Sequence, residues 1–580
     1  MVAVNRDNTK DVSGAARWRM PAAWLLLTLP LFAYPLEWLN VFRPSVPFWD
    51  MAAMFMPSVM ALFALAVLGM AGIGALRRAC VRSRLNALLV WSTLGLLLLS
   101  IGRSLYYGTR LEPAEWFFVV PLAGMVLSRE ILRILPKWGT LTLAVLLYFT
   151  WRFPFCIGLP GNWNWNFSLL TVLIPAPFLL SGKLPARHFW LATAVAAAFL
   201  TVMSILYPEL APRGTIVGVI AAWAVLLLLW KIHRRQRLIV MVLGAGAGVA
   251  MFLSIWLGPA DSTIRSSRFW LWRGSTELAL GRSFFGIGAG NFERHINQHL
   301  PKEYYFSDYA TNFHPHPHNE LLAAWCVHGG IGLVVLLSLS LAACAGLRIY
   351  SAVRVWGFWI FLVLLVHGQF DVLLQTPLAG TLWLAVGGAL AGGMVRHDGK
   401  SHPVPGIVGA AVTAGFAAVI FISGWWARES MLNSRSGDRE SARRNLEKSL
   451  ALWQTPDVRY RLGMVALFDF NDLPTAIAHF EKLAPGYIHS NGYLARAYAL
   501  KGDPETALRY FERESRFYPM SALNAFWELE VMRVQGYDPV YLSSRRSRLN
   551  YLLKLRGLTV DRIDELIYRP ALDDIPLRNP

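Results

Sequence analysis

Charged residues are scarce in this chain. They make up 16% of its 580 residues, whereas soluble globular chains carry about 25%. Hydrophobic residues reach 55% and the mean hydropathy is +0.41, which is more apolar surface than one water-soluble core can bury. Long apolar runs separated by short polar ones extend from residue 22 to 426. The composition excludes a soluble cytosolic enzyme and a disordered chain, and it predicts a polytopic membrane protein.

Cysteine and acidic residues are also few. The four cysteines, Cys80, Cys156, Cys326 and Cys344, lack the spacing of metal or redox motifs, and their small number excludes a disulfide-rich secreted scaffold. The 36 acidic residues face 55 Lys and Arg, so the net charge is +19. Such an excess can serve nucleic acid, an anionic membrane surface or an anionic substrate. In a membrane protein the positive-inside rule explains it first, so we expect membrane lipids as partners and no nucleic acid.

The apolar runs predict an all-α protein with about 12 to 13 transmembrane helices, each of roughly 17–25 residues. The predicted order is a cytoplasmic N-terminus (1–21), nine helices (22–257), a large loop (258–318), four helices (319–427) and a soluble tail (428–580). With thirteen spans, every cluster of Lys and Arg falls on the side of the N-terminus, which the positive-inside rule makes cytoplasmic. The large loop and the tail then lie outside the cytoplasm.

Several arginines fall on the opposite, non-cytoplasmic side, against the topogenic bias. They are Arg213, Arg265, Arg268, Arg273 and Arg282. A phosphate-bearing ligand would explain them, because a guanidinium binds phosphate oxygens in pairs. Snorkelling of Arg265 and Arg268 to the membrane surface is the alternative that needs no substrate.

The most distinctive local pattern is His314-Pro-His316-Pro-His318-Asn319-Glu320, which leads into an apolar run. Three histidines at alternate positions suggest a metal site, although no nearby cysteine or carboxylate set completes a zinc or iron site. Solvated loop histidines are the second interpretation. The third is a general base, because neutral imidazole can take a proton from a hydroxyl group near neutral pH.

The tail is polar and helical in pattern. Leu494-Ala495, Tyr498, Gly502, Ala507, Phe511 and Pro519 fit tetratricopeptide spacing, and Ala476 and Phe480 repeat part of it upstream. The pattern predicts two or three repeats stacked into a short solenoid. A generic helical bundle is the alternative, and neither contains a catalytic set.

These pieces together resemble the bacterial superfamily of O-antigen ligases, O-antigen polymerases and protein O-oligosaccharyltransferases. The resemblance covers residues 80 to 400 and rests on five pieces in order. They are Gly161 to Asn166 as an Asn-containing loop; Pro212-Arg213-Gly214; Arg268-x-x-x-Trp272; Phe285-Gly286-x-Gly288-x-Gly290-Asn291-Phe292; and His318-Asn319-x-x-Leu322 with Gly329 and Gly332.

Two features resemble the pilin-glycosylating oligosaccharyltransferases in particular. One is His316-Pro-His318-Asn319, which is similar to their His-Ser-His-Asn. The other is His367-Gly-Gln-Phe-Asp371 followed by a last pair of spans and a helical tail. This chain departs from that subfamily at Asp371-Val-Leu-Leu, where the subfamily has a Glu-Tyr-Pro-Leu-like run.

The resemblance implies a GT-C-like glycosyltransferase of the bacterial inner membrane, with its active site and tail in the periplasm. It implies an undecaprenyl-diphosphate-linked glycan as donor and inversion at the anomeric carbon, without metal or cofactor. His318 would be the base, Arg213, Arg265 and Arg268 would bind the diphosphate, and His316, Asn319 and Asn166 would contact substrate.

The acceptor implied first is a protein Ser or Thr, with lipid A-core or a growing polysaccharide as alternatives. A lipid-linked glycan transporter is the rival from another class. A transporter should carry charges within its spans, whereas the basic residues here sit mainly in loops and at span ends.

Overall fold

In the part of the chain that it describes, the computed structural model is helical and contains no strand. The described residues are 18–32, 49–71, 73–107, 117–152, 163–180, 186–206, 213–231, 267–288, 291–301, 304, 316–347, 351–371, 377–392, 403–483 and 487–555. They divide into two compact units. The body unit comprises Met1–Leu253, Asn319–Leu321 and Gly330–Ala418, and the loop–tail unit comprises Ser254–His318, Leu322–Gly329 and Val419–Pro580.

Most of the apolar helices belong to the body unit. In chain order they are α1 (Arg19–Thr28), α2 (Trp49–Ala71), α3 (Ile73–Arg82), α4 (Arg84–Tyr107), α5 (Val120–Val126), α6 (Ser128–Arg152), α7 (Trp163–Leu173), α8 (Ala186–Leu206) and α9 (Arg213–Lys231). After two loop helices, α10 (Ser267–Gly281) and α11 (Phe292–Ile296), follow α12 (Glu320–Ala345), α13 (Ala352–His367), α14 (Pro377–Gly392) and α15 (Pro403–Arg435).

Glycines let the body helices approach one another closely. A Cβ built on Gly218 of α9 would lie 2.7 Å from the Val363 carbonyl oxygen of α13. On α14, a Cβ at Gly388 would overlap the Pro121 carbonyl of α5. Small residues at helix contacts are typical of membrane proteins, where helices gain packing energy rather than hydrophobic burial from association.

Two helices in the described part of the chain are long and apolar enough to cross a membrane. They are Arg84–Gly102 and Glu320–Ala345, and a third span results if the bent pair Val59–Ala71 and Ala75–Val81 is taken together. Six shorter apolar helices accompany them. The predicted all-α, polytopic membrane class is confirmed, while the count of thirteen spans remains a prediction. The expected span near Val249 lies outside the described residues.

The tail consists of consecutive helices that pack on their chain neighbours. They are α16 (Arg439–Leu452), α17 (Pro456–Phe468), α18 (Leu473–Phe480), α19 (Ser490–Lys501), α20 (Pro504–Phe517), α21 (Ala522–Val534) and α22 (Pro539–Leu555). The small and aromatic positions of the predicted repeat, Ala476 with Phe480 and Ala507 with Phe511, are buried. The helical tail is therefore observed, and its assignment as tetratricopeptide repeats remains a prediction.

Candidate functional site

A buried polar cluster lies where α13 ends in the body unit. The Nδ1 atom of His367 is 3.1 Å from Ser168 Oγ of α7 and 3.1 Å from Thr215 Oγ1 of α9. The two hydroxyl oxygens are 2.5 Å apart. His367 is 1% exposed and both hydroxyl residues are fully buried. Hydrogen bonds thus join three helices that are distant in sequence, at a depth where an unsatisfied polar group would be costly.

The turn after His367 holds the His-Asn segment of the sequence motif. The backbone N–H of Glu320 donates to the Gly368 carbonyl at 2.7 Å, and Asn319 Nδ2 donates to the Gln369 carbonyl at 3.0 Å. Gly368 has little room for a side chain, because a Cβ there would lie 3.0 Å from Glu320 Cγ. The start of α12 is therefore attached to the turn by one backbone bond and one side-chain bond.

The Pro-Arg-Gly motif meets the same cluster. Arg213 is the first residue of α9; its side chain is outside the described part of the structure. A Cβ on Gly214 would lie 3.1 Å from His367 Nδ1 and 3.5 Å from Phe370 Cβ, so glycine allows the start of α9 to reach the imidazole. The buried carboxyl groups of Glu320 and Asp371, each 2% exposed, lie in the segments joined here.

In the loop–tail unit, the glycine-rich segment packs backbone against backbone. Gly286 and Gly288 have φ angles of +64° and +82°, a region that favours glycine. The N–H groups of Ile287 and Gly288 donate to the carbonyls of Cys326 and Val327, each at 2.9 Å. They thereby satisfy helix-end acceptors, because α12 is interrupted at Gly329, where φ is +69°. The motif glycines thus allow a tight return of the loop against α12.

His316 and His318 lie together just before α12. Their rings contact edge to face with centroids 4.5 Å apart. His318 has a φ angle of +52°, a left-handed conformation that costs a non-glycine residue about 1–3 kcal/mol. Such strain is often found at functional positions. His314 is outside the described residues, and no group of three or more potential metal ligands occurs within the part that is described.

Arg268 lies in the first turn of α10, and it is half-buried. The helix is anchored by Phe269, Trp270 and Leu271, which are buried in a core with Phe292 and Ile296 of α11. Arg273 is 3.6 Å from Glu277 in a half-exposed pair, so it has a local partner of its own. The core presents Arg268 on a rigid helix, and Arg265 lies outside the described residues.

The tail takes part in this loop core. Met520 packs against the cluster around α10 and α11, and the rings of Phe517 and His295 are 6.3 Å apart. The Tyr518 hydroxyl donates to Glu293 Oε1 at 3.4 Å. Burial, followed by the charge of Glu293, raises the pKa of Tyr518 well above its usual range, so this hydroxyl keeps its proton.

Comparison with protein families gives a match to part of the chain. Residues 190–337 match the family model described as O-antigen ligase. This match supports an assignment to the O-antigen ligase superfamily. It covers Arg213, Arg268, the glycine-rich segment and the His318-Asn319 pair of the superfamily pattern, whereas His367 and the tail lie beyond it. No curated protein and no solved structure matches the chain.

Sequence reasoning named some of the residues around this buried cluster and missed others. It named Asn319, whose contact with Gln369 is observed, and Asn166, which lies in α7 with its side chain outside the described part. It did not name Ser168 or Thr215, and it used His367 only as a mark of resemblance. A histidine at the end of an almost wholly apolar helix is itself a signal of function in a membrane protein.

Proposed function

We propose that this chain is a membrane glycosyltransferase that transfers a glycan from undecaprenyl diphosphate to an acceptor hydroxyl, most favourably a protein Ser or Thr. A glycosyltransferase of O-antigen ligase type is what the family match supports in general terms. The observation that carries the proposal is the meeting of the Pro-Arg-Gly segment and the Asn319-Glu320 segment at the turn after His367. Both segments belong to the superfamily pattern, and they are about a hundred residues apart.

In the proposed mechanism, His318 takes the proton of the acceptor hydroxyl. The hydroxyl oxygen attacks the anomeric carbon while the bond from that carbon to the diphosphate oxygen breaks, which inverts the configuration. Arg213, Arg265 and Arg268 bind the diphosphate and stabilise its developing charge. The leaving group needs no metal in this scheme, so the enzyme is metal-independent. Asn319 keeps the His318 segment in place through Gln369, and His316 supports the ring of His318.

The arginine roles predict a specific defect in donor binding. Arg268→Lys keeps the charge but loses the two-pronged geometry, so affinity for the lipid diphosphate should fall. Arg516→Lys is the matched control, because Arg516 pairs with Glu512 on the exposed surface of the tail. Donor affinity is measured with a labelled lipid diphosphate, and acceptor affinity is measured separately. Normal donor binding with weakened acceptor binding would show that Arg268 serves the acceptor.

The tail is proposed to lie in the periplasm and to shape acceptor choice. A concave helical solenoid suits an extended peptide. Deletion of the tail should then lower transfer to the acceptor more than hydrolysis of the donor by water. The alternative is that the tail only stabilises the loop, through the contacts that Tyr518 and Met520 make with it. Both activities would then fall together.

Tyr518→Phe separates these two roles more cleanly than deletion. It removes the hydroxyl that contacts Glu293 and keeps the ring. Tyr510→Phe is the control, because Tyr510 stacks on Tyr498 within the tail. A tail that only supports the loop predicts an equal loss of transfer and hydrolysis in Tyr518→Phe. A tail that selects the acceptor predicts little change in either.

The acceptor and the topology each have a direct test. Purified protein is given the lipid-linked glycan with pilin and lipid A-core in competition, and glycosylated pilin is the expected product. Product on lipid A-core, or polymer, would favour the ligase or polymerase alternatives, and movement of intact donor across a vesicle without transfer would favour a transporter.

A reporter fused after Pro580 should show active alkaline phosphatase; a fluorescent fusion with inactive phosphatase would place the tail in the cytoplasm.

A further inference from the structure

We infer that His367 is a positioning residue for this reaction. Together with Ser168 and Thr215, it fixes the start of α9, where Arg213 lies, relative to the segment that carries the proposed base. The inference rests on the proposed function. His367 is 1% exposed, so the ring is too deeply buried to contact a glycan or a diphosphate. Its effect must pass through the groups that it holds.

On one side, the imidazole holds the start of α9. Thr215 Oγ1 lies 3.1 Å from Nδ1, two residues after Arg213, which begins the helix. Gly214 lies between them, and a Cβ there would be 3.1 Å from the same nitrogen. A change in the position of the ring would therefore move the first turn of α9 and the arginine that we assign to the diphosphate.

On the other side, the residues that follow the imidazole hold the base segment. The carbonyls of Gly368 and Gln369 accept from Glu320 N and Asn319 Nδ2. Asn319 is covalently next to His318, the proposed base. Since these carbonyls belong to the two residues directly after His367, a shift of the ring and its turn is transmitted to the base.

The hydrogen-bond arrangement around the ring contains a redundancy. Ser168 Oγ and Thr215 Oγ1 are equally distant from Nδ1 and also bond to each other. In either tautomer of the imidazole, Nδ1 keeps a partner when one of the two hydroxyls is removed. When both hydroxyls are removed, the hydrogen bonds that join Nδ1 to α7 and to α9 are lost.

The test is a double-mutant cycle on the full-length protein. We expect Ser168→Ala and Thr215→Ala each to lower kcat by about threefold, as for loss of one shared hydrogen bond. The double variant, and His367→Phe, should lower kcat by about 100-fold, the scale of a small misplacement of reacting groups. His367→Asn should restore part of the rate, because its amide can contact both hydroxyls. Ser338→Ala is the control, because that hydroxyl bonds within its own helix.

Two readouts distinguish positioning from a general loss of stability. The donor KM should rise together with the fall in kcat, and the pH profile should keep its shape, since His367 takes no proton from the substrate. Additive effects of the two alanine substitutions, or normal kinetics in His367→Phe, would overturn the inference. If His367→Phe does not fold, the hydroxyl cycle alone decides.

Hydrogen exchange provides a readout that does not depend on activity. The Glu320 amide, which donates to Gly368, should exchange faster in the double hydroxyl variant than in wild type or Ser338→Ala. Unchanged exchange would contradict the inference even in an active enzyme. An inactive wild type with the expected change in exchange would instead contradict the proposed function and leave the positioning contact supported.

Discussion

The helices of the body and those of the tail are stabilised in different ways. In the body, backbone lies against backbone, as where Gly218 of α9 faces the Val363 carbonyl of α13. In the tail, five of the seven described helices begin at residues whose side chains accept a backbone N–H three positions on, as Asp472 does from Thr475 and Asp503 from Thr506. Lipid offers little hydrophobic gain on helix association and no hydrogen-bond partner, so close fit decides packing there. Water makes capping and polar surfaces effective in the tail.

The two regions also differ in what their polar groups do. In the body, the buried imidazole of His367 joins helices that are far apart in the chain. In the tail, many charged contacts are local and exposed, such as Arg516 with Glu512 and Arg533 with Glu530, and such pairs contribute about 0–1 kcal/mol each. Substitutions in the His367 cluster should therefore have large functional effects, whereas substitutions at these exposed pairs should have small effects on stability.

The largest expected effect is that of His318→Ala. Loss of a positioned general base typically lowers the rate by about 100- to 10,000-fold. Expression and membrane insertion should persist, because the side chain is only half-buried. The backbone strain at the left-handed φ angle of +52° is present with either residue. Glycan transfer is measured in vesicles with matched protein amounts. Wild-type turnover in a correctly inserted variant would remove His318 from the mechanism.

Next in size is the difference between two Gly→Ala substitutions. At Gly218 the new Cβ meets a backbone carbonyl at 2.7 Å, so helices must separate and stability should fall by about 3 kcal/mol. At Gly502 the Cβ meets open space but φ is +87°, so strain of about 1–2 kcal/mol is expected. Gly415→Ala, in a helix with nothing within 4 Å, is the control. Thermal midpoints in detergent give the order, and a larger loss at Gly502 would contradict the comparison.

The sequence predicted the features that depend on residues close together in the chain, and it did not predict contacts between distant helices. Periodicity and apolar runs predicted an all-helical membrane chain with a helical tail, and the buried tail positions Ala507 and Phe511 follow the expected repeat. Gly286 and Gly288 entered the sequence analysis only as part of the resemblance, and the structure shows that they let the loop return tightly against α12. The contact between Ser168 and His367 joins residues 199 positions apart. Composition and spacing do not say which helices meet, so this contact needed the structure.

A smaller effect is expected at Thr455, the cap of α17. Its hydroxyl accepts from the Val458 N–H at 3.2 Å, and Thr455→Ala should destabilise the tail by about 1 kcal/mol. Thr455→Asp should restore the loss, because a carboxylate also accepts this bond and is favoured at a helix N-terminus. Hydrogen exchange of the first turn of α17 in the full-length protein is the measurement. Equal protection in the alanine and wild-type proteins would show that the cap is not used.

The smallest effect is one of pH, and the tail supplies its own control. The pKa of three cap carboxyls is lowered by hydrogen bonds from the residue three positions on. The side-chain hydrogen bond is the larger cause at Asp438 and Asp472, and the backbone hydrogen bond is the larger cause at Asp503. A depressed native pKa means that the stabilisation is fully present above the unfolded value, about 3.9 for Asp, and is lost as pH falls through the native value. Thr455 and Ser521 cap their helices with hydroxyls that do not titrate in this range. Hydrogen exchange, corrected for intrinsic rates, should therefore show that the first turns of α16, α18 and α20 lose protection below about pH 4, while those of α17 and α21 keep it. A uniform loss across all five helices would indicate global acid unfolding of the tail instead of protonation of its caps.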